Sequence, residues 1–358
     1  MLVRNSGDGR ELLPMGCSNH PTAVIKSSLF PERGVGFCRA VCGQISESMN
    51  ALNANSDPSS PYGLANEQAY RDWREHKLAL REQLSPKRVF RLDENGLLPQ
   101  SCLDEVRQQI DAFNFILFES TGERFGKAEF IALNRQFGLY RLDDNPGADE
   151  DRVTALRVVE ASDERAQYIP YTNRAMNWHT DGYYNPEDRR VNAFALYCVQ
   201  QAVRGGANFL FDHEMMYLMM RDERPEWLSA LMAEDLMVIP ANVQHGRILR
   251  AEESGPVFSL LPAGQGLNMR YTSRPRNIVW KKDRRSQAAL NRVREILMDG
   301  SCTVEIQLQP GQGVICNNLL HGREAFHDDP QHPARLVYRA RYLDAIDLQP
   351  HDVAKQRA

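Results

Sequence analysis

The chain has 358 residues, with 43 Lys and Arg against 47 Asp and Glu, a formal net charge of −4. Hydrophobic residues make up 42% and charged residues 25%, the composition of a globular protein large enough to bury a core without disulfide staples. No run approaches the ~20 apolar residues that span a bilayer, and the N-terminus lacks the apolar stretch of a signal peptide. The mildly acidic balance gives no overall attraction to nucleic acid or anionic lipid.

Residues 1–65 hold scattered Gly, Ser, Asn and Pro and close on Asn55-Ser56-Asp57-Pro58-Ser59-Ser60-Pro61, a linker composition. They read as an N-terminal extension that drapes over the body or is in part disordered, with a short strand around 35–41. Of the seven cysteines only Cys38 and Cys42 are close, and no second pair completes a zinc site. Free thiols in a reducing cytoplasm are expected.

A single domain is expected over 66–350. Tyr70, Trp73, Leu78 and Leu80 share one face of a helix that starts at Glu67. A strand follows at 89–92, a helix at 103–112, a buried strand at 115–118, and a helix at 127–137 closed by Gly138. Strands are then expected at 154–160, 191–199, 207–212, 236–240, 257–261, 267–272, 302–308, 313–317 and 334–343. Helical inserts interrupt them near 213–233 and 284–298, the second stopping at Gly300. Many short strands with Gly and Pro turns give a mainly β fold with flanking helices, a sandwich or jelly roll.

Three segments could carry chemistry. In Asn177-Trp178-His179-Thr180-Asp181-Gly182 the imidazole and the carboxylate are two residues apart, so an extended chain aims both at one point. Alone, this is also a loop histidine beside a capping aspartate. In Cys316-Asn317-Asn318-Leu319-Leu320-His321-Gly322-Arg323 a strand delivers His321 to its end, which also suits a satisfied structural histidine. In Arg335 to Tyr342 the alternation puts Arg335, Val337, Arg339 and Arg341 on one face. Such arginines are solvated outside a barrel; inside one they require an anion, for which a guanidinium fork suits a dicarboxylate.

Two histidines and one carboxylate compose the facial triad of non-heme Fe(II) oxygenases. The order His-x-Asp, a distal His, then an Arg fourteen residues on, with NNLLHGREAF at 317–326 and the closing 335–344, resembles the Fe(II)/2-oxoglutarate-dependent dioxygenases of the taurine dioxygenase (TauD/TfdA) family. The resemblance spans about residues 66–346. It implies a double-stranded β-helix (jelly roll, cupin-like) core. It further implies that His179, Asp181 and His321 ligate Fe(II), that Arg335 pairs with the distal carboxylate of 2-oxoglutarate, and that Arg339 lies near the keto-acid end. The family's Gly-Gly-Asp-Thr reads Gly205-Gly206-Ala207-Asn208 here, so Asn208 stands where a threonine binds the co-substrate. Asp181 is kept, unlike in halogenases, where a small residue leaves room for halide.

The implied reaction consumes O2 and 2-oxoglutarate, releases succinate and CO2, and hydroxylates or otherwise oxidises a C–H bond of a small polar or anionic metabolite. The family's taurine-contacting asparagine falls at Ala175, which argues against a sulfonate, and leaves Asn173, Arg174, Tyr183 and Tyr184 as candidates for substrate contact. Arg341, further along the strand, is expected to tolerate lysine. Neither nucleic acid nor a membrane is expected as a partner, and a homo-oligomer is compatible with the chain. Two alternatives remain: an oxygenase acting on nucleic acid or protein through the basic segment 270–285, and a non-catalytic barrel with a vestigial triad. Three further signals are set aside. The glycines of 263–269 imitate a dinucleotide fingerprint without its third glycine. Asp212-His213-Glu214 begins like a zinc-protease helix without its second histidine, and the methionines of 215–220 read as helix core.

Overall fold

The computed structural model describes residues 60–348 apart from 122–124, 145–148, 150, 245, 262–265, 275 and 277. Cys17, Cys38, Cys42 and the strand expected at 35–41 lie outside the described residues.

Two sheets face each other. A six-stranded sheet runs in spatial order β1 (Val89–Arg91), β2 (Phe115–Glu119), β16 (Gln312–Asn317), β5 (Ala193–Gln200), β19 (Leu336–Tyr342) and β3 (Thr154–Leu156). Only β1 and β2 pair in parallel. A four-stranded antiparallel sheet runs β15 (Val304–Ile306), β7 (Asn208–Phe211), β17 (Leu320–Arg323) and β4 (Met176–His179). This is the jelly-roll core expected from the sequence. Between the sheets, Phe194, Leu196, Val314 and Val337 meet Leu210 and Ile306.

The outer face of the large sheet is buried as well. Ile116, Phe118, Ile315 and Tyr342 pack on Val106 and Ile110 of α2 (Leu103–Phe113) and on Phe130 and Leu133 of α3 (Lys127–Arg135). A strand covered on both faces has no use for polar alternation, which explains the unbroken Phe115-Ile116-Leu117-Phe118. Each such side chain contributes roughly 1.5–3 kcal/mol on burial. Gly313 lets β16 fit between β2 and β5, because a Cβ there would lie 2.5 Å from the carbonyl oxygen of Leu196.

Helix α1 (Glu67–Gln83) starts at Asn66, whose Oδ1 accepts from the amide of Ala69 at 3.2 Å. Composition misplaced the start of the body. Tyr62 is buried, its hydroxyl donates to Glu214, and its carbonyl accepts from Tyr217 Oη at 2.9 Å. Residues 60–64 are therefore part of the body. The insert expected as one helix at 213–233 is two, α4 (His213–Glu223) and α5 (Pro225–Leu231), because Arg224 before the proline is extended (φ −154°, ψ 97°). Helix α6 (Arg284–Asp299) opens at Asp283, which accepts from the amides of Arg285 and Ser286, and ends on Gly300 with φ 72°. Helix α3 ends two residues before the expected limit, at Arg135; across Gly138 (φ 72°) the amide of Leu139 returns to the carbonyl of Asn134 at 3.3 Å.

Several strands are shorter than expected, 154–160 reducing to β3 and 302–308 to β15. Small accessory sheets complete the fold. These are β6 (Arg204–Gly205) with β18 (Phe326–His327), the hairpin of β9 (Asn242–Gln244) and β10 (Arg247–Arg250), the trio β11 (Glu253–Gly255), β8 (Met237–Ile239) and β14 (Val279–Trp280), and β12 (Phe258–Leu260) with β13 (Leu267–Met269). The strand expected at 267–272 divides: β13 pairs with β12, whereas Tyr271 to Ser273 cross to β4. Among the described residues no helix is long and apolar enough to cross a membrane.

Candidate metal centre

Strands β4 and β17 are antiparallel neighbours with His179 opposite His321, which puts both imidazoles on one face with ring centroids 4.2 Å apart. Asp181, two residues beyond His179, turns toward the same point. The turn is pinned by Asn318, which precedes β17. Its Oδ1 accepts from the amide of Asp181 at 2.8 Å, and its Nδ2 donates to the carbonyls of Asp181 (2.7 Å) and Val191 (2.8 Å). Sequence reasoning gave Asn318 no role.

The ligand atoms of His179, Asp181 and His321 lie within 4.8 Å of one another. Nδ1 of His179 is 2.8 Å from the carbonyl of Asn177, and Nδ1 of His321 is 3.0 Å from that of Leu319. These bonds place the protons on Nδ1 and free both Nε2 lone pairs for a metal. Burial, reinforced by His321, lowers His179 to about 3, and burial also lowers His321. Burial alone would raise the Asp181 carboxyl. Arg339 and Arg341 outweigh it and hold that carboxyl well below its usual range. At neutral pH the site is thus two neutral imidazoles and one carboxylate. Asp181 Oδ2 is buried and has no hydrogen-bond partner. An orphaned carboxylate oxygen beside two free imidazole nitrogens fits Fe(II) with positions left open.

The arginines of the last strand point into the barrel. Arg335, Arg339 and Arg341 are 6%, 8% and 3% exposed, while Tyr338, Ala340 and Tyr342 join the outer core. Arg339 Nη1 lies 3.4 Å from Asp181 Oδ1. Arg341 pairs with buried Asp143, donates to Tyr184 Oη at 3.2 Å, and lies 3.9 Å from Asp181. It is the most enclosed of the three, so the expectation that it tolerates lysine is corrected: a single ammonium cannot reach three partners in fixed directions. Arg335 stacks on Phe326 (4.9 Å to the ring centroid) and shares a small pocket with Asn208, Gly206 and Cys198.

Arg323 was missed by the sequence reading. It is 5% exposed, stands opposite Asn208, and its guanidinium lies 4.8 Å from the same Phe326 ring. Burial, with Arg335 nearby, lowers it to about 9. The signal was available, since a residue two beyond His321 on a strand shares its face. Among the described residues neither Arg323 nor Arg335 has a carboxylate at ion-pair distance from its guanidinium.

Arg323 Nη2 donates to the carbonyls of Thr172 (2.8 Å) and Arg174 (2.6 Å), and the amide of Phe326 donates to that of Asn173 (3.0 Å). Asn173 and Arg174 are therefore sewn down by their backbones, with their side chains exposed. Tyr183 and Tyr184 stand edge to face at 5.3 Å. Tyr184 is engaged by Arg341, whereas the hydroxyl of Tyr183 lies near Thr272 and Arg274. The segments set aside from sequence have structural roles: Asp212 caps α4, His213 Nε2 is 2.9 Å from the carbonyl of Leu267, and Met215, Met216 and Met220 are core. Within 263–269, residues 263–265 lie outside the described residues and 267–269 form β13. The basic run 270–285 is not one patch, because Tyr271 to Ser273 pair with β4 and Arg284 opens α6.

Residues 79–341 match the Taurine catabolism dioxygenase TauD, TfdA family. The chain belongs to this family. It is 29% identical over 260 residues to a uridine-5′-phosphate dioxygenase of Streptomyces sp, covering 68% of this chain and 90% of that protein. A protein of the same description from Amycolatopsis sp is 28% identical over 180 residues, 49% of this chain and 63% of its own length. Among solved structures, the non-heme iron oxygenase OrfP in complex with Fe and α-ketoglutaric acid superposes with a TM-score of 0.50 at 14% identity, covering 83% of this chain and 89% of that one. That likeness concerns the fold. Like its family, this TauD/TfdA protein is an Fe(II)- and 2-oxoglutarate-dependent dioxygenase that uses O2.

Proposed function

We propose that this dioxygenase hydroxylates a C–H bond of a phosphate-bearing small metabolite, of the class of a nucleoside 5′-monophosphate, with Fe(II) held by His179, Asp181 and His321. The observation that carries the metal assignment is the buried, partnerless Oδ2 of Asp181 within reach of two free imidazole nitrogens. The substrate class rests on the likeness to uridine-5′-phosphate dioxygenases, which extends over 90% of the Streptomyces protein.

Iron, when bound, activates O2 and couples the decarboxylation of 2-oxoglutarate to the oxidation of substrate. The remaining work falls to side chains. Arg335 grips the distal carboxylate of 2-oxoglutarate with two parallel charge-assisted hydrogen bonds, and Asn208 adds a polar contact from the facing strand. Arg323 adds a second positive charge beside that carboxylate and ties down the loop leading to β4. Arg339 keeps Asp181 ionised and faces the keto-acid end. Phe194, 4.4 Å from the His321 ring, keeps water from the metal side of the barrel. The cytoplasm is the proposed location, in line with the free Cys102, Cys198, Cys302 and Cys316.

The test is succinate release under air from Fe(II)-loaded enzyme and 2-oxoglutarate, across a panel of nucleoside monophosphates, free nucleosides, sulfonates and amino acids. The proposal expects stimulation by a phosphate ester. Stimulation confined to amino acids or sulfonates would overturn the substrate class.

A further inference from the structure

The geometry points to Arg274, with the hydroxyls of Thr272 and Tyr183, as the seat of the substrate's anionic group. This rests on the proposed phosphate-bearing substrate. The amide of Thr180 donates to the carbonyl of Tyr271 at 3.0 Å, and that of Ser273 to the carbonyl of Trp178 at 2.9 Å. The segment therefore runs antiparallel to β4 with Thr272 directly opposite His179. Arg274, two residues on, is tied to the end of this segment by its amide, which donates to Thr272 Oγ1 at 3.3 Å.

The other cations near the metal are committed. Arg339 faces Asp181, and Arg341 is paired with Asp143. Arg335 lies in a pocket to which residues 270–274 do not contribute. Arg274 is exposed and, among the described residues, has no carboxylate partner; both it and Thr272, to which its amide donates, lie near the hydroxyl of Tyr183. A guanidinium with two hydroxyl donors is the chemistry that recognises a phosphate monoester.

The site is braced from behind. Arg270 Nε donates to the carbonyl of Tyr183 at 2.6 Å. The Arg270 guanidinium lies close against Gly255, where a Cβ would sit 2.7 Å from its Nη1. The bracing fixes the backbone of Tyr183 on the substrate side of Asp181 independently of any ligand.

Isothermal titration of the full chain, loaded with Mn(II) and 2-oxoglutarate, with uridine 5′-phosphate, uridine and inorganic phosphate tests this, alongside succinate release. Wild-type protein should bind uridine 5′-phosphate at least about tenfold more tightly than uridine. Arg274→Gln should erase that difference while leaving uridine affinity unchanged, Arg274→Lys should restore part of it, and Tyr183→Phe should lower it about threefold. Discrimination that survives in Arg274→Gln, or its absence from wild type, would overturn the subsite. Loss of inorganic phosphate binding in Arg274→Gln without stimulation by any phosphate ester would leave the subsite standing and sink the substrate class. Equal stimulation of wild type and Arg274→Gln by uridine 5′-phosphate would do the reverse.

Discussion

Two buried polar clusters sit in this molecule, and they differ in whether their charges are answered from within the chain. At the junction of α1 and α4, every carboxylate oxygen of Asp212 and Glu214 has a partner. Lys77 lies 2.9 Å from Asp212 and 2.7 Å from Glu214, Arg81 lies 3.1 Å from Asp212, and Asn114, Tyr62 and the amide of Glu214 take the remaining sites. Inside the barrel, Asp181 keeps one oxygen without a partner, and among the described residues the guanidinium groups of Arg335 and Arg323 have no carboxylate at ion-pair distance. Both arrangements bear the desolvation cost of buried charge. The first is answered by the fold and acts as scaffold; the second is shaped for a cation and an anion from outside.

The strongest way to break this contrast is to alter the barrel site. His179→Ala, Asp181→Ala and His321→Ala should each abolish succinate production by removing an iron ligand while the chain stays folded by circular dichroism. Wild-type turnover in any of them, at equal iron, would remove that residue from the centre. At the scaffold cluster the loss should appear as stability instead. Lys77→Met leaves two buried carboxylates short of their cation and should cost about 3–5 kcal/mol in urea unfolding.

Acid should sharpen the same distinction. Burial would raise the Asp212 carboxyl, but Lys77 and Arg81 hold it at about 2. Its folded pKa is thus below the unfolded value of about 3.9. The stability it contributes is present above pH 4 and is lost as pH falls from about 4 toward 2. Lys77→Met should flatten that part of the profile; an unchanged profile would remove Asp212 as its source.

Smaller effects belong to the co-substrate pocket. If Arg335 holds 2-oxoglutarate as proposed, Arg335→Lys gives up a bidentate grip whose charged hydrogen bonds contribute roughly 1.5–3 kcal/mol each, so the KM for 2-oxoglutarate should rise about 10- to 100-fold with little change in Fe(II) affinity. Asn208→Ala removes one neutral contact and should raise the same KM only about fivefold. If the order of these two were reversed, the anion would lie nearer β7 than β19.

The elements of the site that local pattern encodes were legible in the sequence. Alternation along β19 puts its arginines on one face, the spacing of His179 and Asp181 aims both at one point, and the apolar run at 115–118 marks a strand covered on both sides. What closes the site was not. Asn318 pins the Asp181 turn across 137 residues of chain, and the answer to Lys77 lies on α4. Neither contact leaves a trace near its own position in sequence. Tyr62 lies just beyond a linker-like stretch, so composition could not show that it is buried. Arg323 differs from these, because its period-two relation to His321 was visible and simply went unused.

On the proposed reading, the partnerless oxygen of Asp181 and the unpaired guanidinium of Arg335 mark one site for iron and co-substrate together. An anaerobic titration of Fe(II) into the full chain with 2-oxoglutarate, followed by the metal-to-ligand charge-transfer absorption, tests it directly. The expected result is a band that saturates at one iron per chain, is abolished in Asp181→Ala and, in Arg335→Lys, is recovered only at higher 2-oxoglutarate. A band of wild-type strength in Asp181→Ala, at the same co-substrate concentration, would contradict it.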